Sequence, residues 1–408
     1  MTMDAYAASM AKIDEELSSP SVEEKKYYRL SRKLWENPEL KFQEKFAHDF
    51  LSQFLEDNGF RVTRNYILPT GFKAEYASNN GAEVTLAVIC EYDALPGLGH
   101  ACGHNLIAEA GVAAGIGVKD ALRADPSLPG KIIVLGTPAE EGGNGKVEMI
   151  RKGALDGVDA AMMVHPSNSD YLLPPFIGNV KGSAKFFGKA AHASGFPWEG
   201  VNALDAAVIA YNSLACLRQH IKSTSRINAV ITQGGSAPNV IPDESQVEFY
   251  VRAAKWKELE ELSVKVRKCF DSAAQCTGCR LVYKLVENHG PNNLISNGKM
   301  AEIYQRHATR FGVKFNDGDS RVVPFVASTD FGSVSHVVPS IHPNYSIGTS
   351  APNHSSEFAQ AAGSWQAQTP TLIAAKSLAL TAVQLMKRAE LLPEIKTRFK
   401  NDLKEDDK

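Results

Sequence analysis

The sequence has few of the features that mark secreted, membrane or nucleic-acid-binding proteins. It contains 6 cysteines in 408 residues, and a chain of this length can bury a hydrophobic core without disulfides. Its 44 Lys and Arg residues nearly balance its 46 Asp and Glu residues, which leaves a net charge of −2. No excess of positive charge therefore favours nucleic acid or an anionic membrane as a partner. The longest apolar stretches, such as 84–90, are far shorter than the roughly 20 residues that cross a bilayer.

The first residues also lack the pattern of a targeting peptide. Residues 1–17 are charged at several positions and contain no uninterrupted apolar core, so neither a secretory signal nor an Arg-rich transit peptide is indicated. Because cysteines are so few, we expect a reducing, cytoplasmic setting. The hydrophobic share of 44% and the charged share of 22% are those of a globular protein. The length of 408 residues predicts two to three domains.

Helix and strand patterns alternate in the first part of the chain. Two helices are expected within 22–57, with a turn at Asn37 and Pro38 between them. Apolar runs at 131–135 and 158–164 are bounded by Gly and Pro, which is typical of buried parallel strands. Further strands are expected at 60–64, 72–77 and 84–90, and a helix rich in Ala and Gly at about 105–123. This alternation predicts an α/β layer.

From about residue 176 the pattern changes to six compact elements. Strands are expected at 181–189, 227–233, 246–253 and 279–286, and helices at 202–221 and 256–274. The order βαββαβ predicts a ferredoxin-like unit inserted in the α/β domain. The α/β pattern resumes afterwards and ends with a helix at 372–391 and a charged tail at 400–408 that we expect to fray. The predicted boundaries are 1–178 and 291–408 for the catalytic domain and 179–290 for the insert.

The densest group of reactive side chains follows the strand that ends at Cys90. It contains Glu91, Asp93, His100, Cys102 and His104. In α/β folds, sites gather outside the carboxyl ends of the strands. A thiolate and an imidazole two residues apart suit a metal such as zinc. The alternative is a polar loop whose histidines cap the next helix.

Two later segments place similar residues at strand ends. The adjacent carboxylates Glu140 and Glu141 can divide the work of metal ligand and proton acceptor, or they can simply favour the N-terminus of a helix. His165 follows another strand, where a lone histidine is more often structural. Convergence favours the metal reading, because parallel strands bring these side chains to one sheet edge, and His354 can contribute from the resumed domain. Such donors suffice for two metal ions in a hydrolase of amide bonds.

Four motifs give the chain a resemblance to a known family. They are Asp-Ala-Leu-Pro at 93–96, His-Ala-Cys-Gly-His at 100–104, Gly-Gly-Ser-Ala-Pro-Asn-Val-Ile-Pro-Asp at 234–243 and Ser-Thr-Asp-Phe-Gly-Ser-Val-Ser at 328–335. The chain resembles, over almost its whole length, the co-catalytic metallopeptidases that include aminoacylases, carnosine dipeptidases and indole-acetyl-amino-acid and aminobenzoyl-glutamate hydrolases. The resemblance implies a zinc-peptidase-like α/β/α catalytic domain whose ferredoxin-like insert acts as lid and dimerisation domain.

The resemblance also implies roles for individual residues of the catalytic domain. The positions that match metal ligands of the family are Cys102, His104, Glu141, His165 and His354. Glu140 matches the general base that activates water and later protonates the leaving amine. Asp93 matches the carboxylate that orients the metal site, whereas His100 has no ligand role.

In the lid, His192 and Asn239 lie in matching motifs, and Arg252 lies near the end of a lid strand. His192 corresponds to a histidine that reaches the partner subunit's site and stabilises the oxyanion; taken alone it would be a solvated turn histidine. Asn239 is expected to hydrogen-bond the substrate. Arg252 is expected to hold a substrate carboxylate, with a surface ion pair as an equal alternative. Asp330 lies in a matching motif without an assignable role.

The chain departs from the family at two positions. Glu91 stands where many members have a histidine, as is expected in the Cys-Gly-His subgroup. Asn105 replaces an acidic residue and is expected to weaken support of the ligands. The implied cofactors are two divalent ions, with zinc favoured by the thiolate and manganese compatible with the carboxylates and imidazoles.

The implied activity is metal-dependent cleavage of the amide bond of a small N-acyl or β-alanyl amino acid, of the β-alanyl-lysine type. The expected assembly is a homodimer joined through the lid, without nucleic acid or membrane as partner. One alternative keeps the site and changes the substrate to that of an aminoacylase or an aminobenzoyl-glutamate hydrolase. The other is a metal-binding scaffold that has lost activity, which the intact Glu140 argues against.

Overall fold

The computed structural model describes residues 22–78, 81, 83–286, 290, 293–317 and 327–407. The chain forms two compact units. The α/β unit comprises Met1–Pro175, Leu294–Val326 and Asp330–Lys404. The lid unit comprises Phe176–Asn293, Ala327–Thr329 and Glu405–Lys408.

The first part of the α/β unit alternates helices and strands as the sequence predicts. Its elements are α1 Val22–Glu36, α2 Lys45–Asp57, β1 Arg61–Arg64, β2 Phe72–Ala77, β3 Val84–Cys90, α3 His104–Ala124, β4 Gly130–Gly136, the single helical turn α4 Glu140–Gly143, α5 Gly145–Arg151, β5 Ala160–Met162 and β6 His165–Ser167. Leu30 and Leu34 of α1 and Leu51 and Leu55 of α2 are buried. The apolar residues at helical spacing therefore face the core, as expected.

The lid unit follows with the predicted order of elements. They are β7 Gly178–Phe187, α6 Ala203–Leu217, β8 Arg226–Gln233, β9 Glu244–Ala253, α7 Trp256–Thr277 and β10 Arg280–Leu285. The four strands form an antiparallel sheet in the order β10-β7-β9-β8. Along β9 every second residue is buried, because one face of the sheet packs on a core that also contains Leu259 and Phe270 of α7. The ferredoxin-like insert is confirmed.

The last part of the chain returns to the α/β unit. Its elements are α8 Gly298–Arg310, α9 Phe331–Ser335, β11 Ser340–Ile341, β12 Asn344–Ser346, α10 Ser356–Ala362, α11 Gln368–Lys387 and α12 Leu392–Asp406. None of the helices in the described ranges combines the length and the hydropathy that a bilayer-spanning segment requires.

The six-stranded sheet of the α/β unit determines where side chains can converge. Its order is β1-β2-β4-β3-β5-β11. Strand β3 pairs in parallel with both β4 and β5, so these three strands end at the same edge.

Helix α3 packs closely on this sheet. A Cβ on Gly111 would lie 2.4 Å from Cys90 Sγ, and a Cβ on Gly115 would lie 2.2 Å from Val134 Cγ2. The small residues of α3 are thus required by its close approach.

The expectation of a frayed tail is wrong for residues 400–406. These residues continue helix α12. Within the lid unit, Asn293 Nδ2 donates to Asp406 Oδ1 at 2.9 Å, and Lys255 Nζ donates to the Glu405 carbonyl at 2.7 Å. The charged residues are held by partners that are distant in sequence, which local composition cannot indicate.

Candidate metal centre

The functional side chains of the α/β unit come from the ends of three neighbouring parallel strands. Glu91 and Asp93 follow β3, Glu140 and Glu141 follow β4, and His165 follows β5. Because β3, β4 and β5 are parallel neighbours, their carboxyl ends meet at one sheet edge. The predicted convergence of these residues is therefore present in the fold.

A glycine lets Cys102 and His104 lie on either side of a sharp turn. Gly103 adopts φ +81° and immediately precedes helix α3. A Cβ at this position would lie 2.5 Å from Pro166 Cγ, so a larger residue would both strain the backbone and clash. The turn brings Cys102 Sγ to 3.5 Å from His165 Nε2.

The ring of His165 is oriented so that Nε2 carries the free lone pair. Its Nδ1 lies 2.8 Å from the Pro166 carbonyl oxygen, which can only accept, so Nδ1 bears the proton. Burial, followed by the charge of His104, lowers the pKa of His165 to about 4. His165 is therefore neutral near pH 7 and offers Nε2 beside the Cys102 thiol, as a metal ligand must.

Asp93 orients both His104 and Glu141. Its Oδ1 lies 3.1 Å from His104 Nδ1, and its Oδ2 accepts the Glu141 backbone N–H at 2.9 Å. Burial alone would raise the pKa of Asp93, but the hydrogen bond and charge of His104 hold it below its usual value. The ionised carboxylate can only accept, so Nδ1 of His104 carries a proton, and Nε2 is the nitrogen that becomes a ligand when it gives up its own proton to make room for a cation.

Glu141 lies between two histidines. Its Oε1 is 3.9 Å from His104 Nε2 and 3.2 Å from His354 Nε2. His354 adopts φ +67°, and its backbone N–H donates to the Ala101 carbonyl at 2.8 Å. A non-glycine residue in this conformation carries strain of about 1–3 kcal/mol, which often accompanies a functional site.

The donor atoms of the described residues form four overlapping groups. Within each group, one ligand atom per residue lies within 4.8 Å of the others; the groups are Cys102/His104/His165, Cys102/Glu141/His354, His104/Glu140/Glu141 and Glu91/Glu140/Asp330. His104 Nε2 and Glu141 Oε1 are buried and face other ionisable groups: Glu91 Oε2 lies 3.4 Å from His104 Nε2, and His354 Nε2 lies 3.2 Å from Glu141 Oε1. Burial also raises the pKa of the Cys102 thiol well above its usual value, so a thiolate here needs a cation. The set of thiol, imidazole and carboxylate donors fits divalent metal.

Glu140 lies next to these ligands in an acidic environment. Burial, then the negative charges of Glu91 and Glu141, raise the pKa of Glu140 well above its usual value. A carboxylate with a raised pKa holds a proton more readily than an ordinary one, which suits a general base that later acts as an acid.

Sequence reasoning missed a buried ion cluster beside Glu140. Lys146 Nζ lies 2.5 Å from Glu91 Oε1 and 2.6 Å from Asp330 Oδ1, and the Lys146 backbone N–H donates to Asp330 Oδ2 at 3.0 Å. All three side chains are at most 1% exposed. In the sequence, Lys146 stands at the beginning of a short predicted helix. Its position after a Gly-rich turn and before apolar residues was the one feature that could have indicated burial.

Two further histidines are buried near the site. His100 lies outside the donor groups, with Nε2 3.1 Å from the Leu34 carbonyl oxygen. His342, which the sequence did not single out, has its ring 5.6 Å from that of His165 and stacks on Phe331 at 5.0 Å. His342 follows the two-residue strand β11, and its position in the sequence does not show the residue spacing that would indicate a metal ligand.

Within the lid unit, His192 and Asn239 are brought together. The Ala193 backbone N–H donates to the Asn239 carbonyl at 3.1 Å, and His192 forms a β-bridge with Val240. His192 is exposed, and the Gly195 backbone N–H lies 3.0 Å from its Nδ1.

Arg252 lies elsewhere in the lid unit, on β9. Its Nη1 donates to Ser328 Oγ at 3.3 Å, and its guanidinium lies 5.2 Å from the Tyr250 ring centroid. Among the described residues it forms no ion pair, so the alternative of a surface ion pair gains no support.

Comparisons with known proteins agree with this geometry. A peptidase dimerisation domain of the M20 type matches residues 177–275. The Xaa-Arg dipeptidase of Mus musculus is 44% identical over 92% of this chain and 89% of its own length. A p-aminobenzoyl-glutamate hydrolase chain of Escherichia coli is 29% identical over 90% of this chain and 91% of its own length. A dinuclear metal-binding M20 peptidase from Bacillus subtilis has a similar fold, with a TM-score of 0.69, 19% identity and coverage of 89% of this chain and 98% of its own.

Proposed function

Because this chain belongs to the M20 family of peptidases, and so hydrolyses amide bonds, we propose that it is a metal-dependent dipeptidase that releases a basic C-terminal amino acid. The observation that carries the proposal is the convergence of five ligand-type side chains beside Glu140. The basic residue is suggested by the Xaa-Arg dipeptidase relative. For the other residue of the substrate we retain the β-alanyl or N-acyl type that the motifs imply.

We propose Cys102, His104, Glu141, His165 and His354 as ligands of two divalent ions, with zinc favoured over manganese because of the thiolate. When bound, such ions polarise the scissile carbonyl and make water acidic enough to ionise near neutral pH. The close approach of His104 Nε2 and His354 Nε2 to Glu141 Oε1, at 3.9 and 3.2 Å, supports this assignment, because imidazole and carboxylate donors this close together can share a divalent ion.

Glu140 is assigned the proton transfers. Its carboxylate accepts the proton of the attacking water and afterwards donates it to the nitrogen of the departing amino acid. Burial and then the acidic neighbours raise the pKa of Glu140, which favours the stage of the reaction in which it holds the proton. Asp93 acts through His104, whose Nδ1 it holds.

His192 is assigned to the oxyanion. The Gly195 N–H is a donor, so His192 Nδ1 must accept it, and the proton of a neutral ring then lies on Nε2. Nε2–H is a suitable donor for the negative oxygen that develops on the scissile carbon. Asn239 and Arg252 are assigned to substrate binding, Arg252 through the terminal carboxylate.

A homodimer joined through the lid is part of the proposal. Strand β8 is an edge of the lid sheet, and edge strands are templates for pairing with another chain. The side chains of Val230 on β8 and of Val208 and Tyr211 on α6 are exposed. The dimerisation-domain match spans these elements, so the occupant we propose is a second copy of this chain. A cytoplasmic location stays a prediction.

The test is a substrate panel with zinc or manganese added, followed by detection of the released amino acid. The panel contains alanyl-arginine, β-alanyl-lysine, several N-acetyl amino acids and aminobenzoyl-glutamate, and Glu140→Gln is the control. We expect cleavage of the basic dipeptides that is lost in Glu140→Gln. Preference for the N-acetyl or aminobenzoyl substrates would move the protein to the alternative specificity. Absence of all cleavage with metal bound would favour an inactive scaffold.

A further inference from the structure

The segment that presents the general base begins with an unusual backbone conformation. Ala139, which directly precedes Glu140, adopts φ +62° although it is not a glycine. This left-handed conformation is unfavourable for a residue with a Cβ. It nevertheless lets the chain turn sharply after β4, so the surrounding structure must hold Ala139 in place.

The carboxylate of Glu44 supplies that restraint. Ala139 is fully buried, and a buried backbone N–H requires an acceptor. Glu44 Oε1 accepts this N–H at 2.9 Å across 95 residues of sequence. The same oxygen accepts the Phe42 N–H at 2.8 Å, and Oε2 accepts the hydroxyl of Thr70 at 2.8 Å.

Glu44 does not serve the helix that it precedes. It occupies the N-cap position of α2, yet its side chain makes no capping hydrogen bond. Glu39 caps this helix instead, because its carboxylate accepts the N–H groups of Phe46 and Ala47 at 3.0 Å each. A buried carboxylate is costly, and Glu44 directs its oxygens to the turn before Glu140 rather than to the local helix.

Two neighbours of Glu44 contact the same turn. Lys41 Nζ donates to the Gly142 carbonyl at 3.3 Å. Phe42 covers Gly143 so closely that a Cβ there would lie 2.8 Å from Phe42 Cε2. Residues 41–44 therefore contact the turn 139–143 at three points. Two of these contacts are hydrogen bonds, and the one that Glu44 accepts from Ala139 is buried, whereas the one that Lys41 donates to Gly142 is exposed.

We infer that Glu44 is a positioning residue, which holds Ala139 in its left-handed conformation and thereby aims Glu140 at the reacting centre. The inference rests on the proposed role of Glu140 as general base. The hydrogen bonds of the Glu44 side chain in the described part of the chain go to Phe42, Thr70 and Ala139 and to none of the proposed metal ligands, so its removal should affect the reacting geometry more than substrate binding. A displacement of a catalytic group by about 1 Å can reduce the rate 10²-fold.

The experiment compares kcat, KM and metal content in four variants of the full chain. Glu44→Met fills the space and accepts no hydrogen bond, and Glu44→Ala repeats the loss with a smaller side chain. Glu44→Gln keeps one carbonyl oxygen for the two backbone N–H groups, and Glu39→Ala is the matched control that weakens only the cap of α2. We expect kcat to fall about 10–100-fold in Glu44→Met and Glu44→Ala, with KM and metal content nearly unchanged. In Glu44→Gln and Glu39→Ala we expect kcat to stay close to that of the wild type.

Each of the following outcomes would overturn the inference. Wild-type kcat in Glu44→Met or Glu44→Ala would remove any positioning role, and an equal loss in Glu39→Ala would show a general effect of the segment. A loss of kcat in Glu44→Gln equal to that in Glu44→Met would mean that hydrogen bonding is not the cause. Unfolding of both Glu44→Met and Glu44→Ala would make Glu44 purely structural. Glu140→Gln is measured in parallel: if it stays active, the proposed function itself fails, independently of Glu44.

Discussion

The Asp93 carboxylate and the His104 ring are joined by a hydrogen bond of 3.1 Å from Nδ1 to Oδ1. Both side chains are fully buried. The contact determines which nitrogen of His104 carries the proton and leaves Nε2 directed at the other ligand atoms. A backbone hydrogen bond from Glu141 to the second Asp93 oxygen ties the acidic turn to the same anchor.

Asp93→Asn should weaken metal binding without unfolding the protein. The amide can donate to Nδ1 and so favour the tautomer in which Nε2 carries the proton and cannot ligate. We expect the affinity for zinc to fall about 10–100-fold, the usual effect of losing an orienting carboxylate, as measured by competition with a chelator. Asp125→Asn, which changes a buried carboxylate that accepts from Ser127 in its own turn, is the control. Equal affinity in Asp93→Asn and wild type would contradict the orienting role.

Lys146→Met should lower the free energy of unfolding by about 3–5 kcal/mol, because it leaves two buried carboxylates without a counter-charge. These are Glu91 and Asp330, at 2.5 and 2.6 Å from Lys146 Nζ. The measurement is urea denaturation of the metal-free chain. Lys152→Met removes an exposed pair with Glu148 and should change stability by less than about 1 kcal/mol. Similar decreases in the free energy of unfolding in the two variants would show that the buried cluster does not stabilise the fold more than the exposed pair does.

Because of Glu109, the free energy of unfolding should decrease as pH rises from about 4.5 to about 8. Burial raises its pKa from 4.5 to about 8 in the folded chain. The folded state therefore holds a proton that the unfolded state loses in this range, and stability is greatest below the unfolded pKa and declines as pH rises.

Glu109→Gln removes this titration while leaving a partner for Gln368, whose Nε2 lies 3.2 Å from Glu109 Oε2. We expect the variant to gain about 2–4 kcal/mol relative to wild type between pH 5 and pH 8, measured by denaturation at each pH. Glu302→Gln changes an exposed carboxylate and is the control. A difference that is constant with pH would refute the assignment.

A shared active site should be revealed by mixing two inactive chains. If His192 acts in the site of the partner subunit, His192→Ala and Glu140→Gln complement each other, because one site of each mixed dimer then contains both wild-type residues. Random assortment after co-expression should restore about a quarter of wild-type activity. Each variant alone is the control. If each site uses its own chain's His192, the mixture stays inactive.

Much of the fold was predictable because it depends on local patterns. Apolar residues at helical spacing placed α1 and α2, a short apolar run placed β3, and apolar runs between Gly and Pro placed β4 and β5. The order of elements predicted the ferredoxin-like insert. The tail at 400–406 was predicted wrongly, because its helix is held by Asn293 and Lys255, and composition does not report such distant contacts.

The sequence by itself determined the reactive residue types and their approach to one sheet edge, since Cys102, Glu140, Glu141 and His165 each follow a strand of a parallel layer. Only the tertiary structure decided which other residues support them. Lys146 and Asp330 are 184 residues apart, and Glu44 and Ala139 are 95 apart. Nothing in the local sequence distinguishes such charged residues from solvated ones, because their burial and their partners arise only when distant segments pack together.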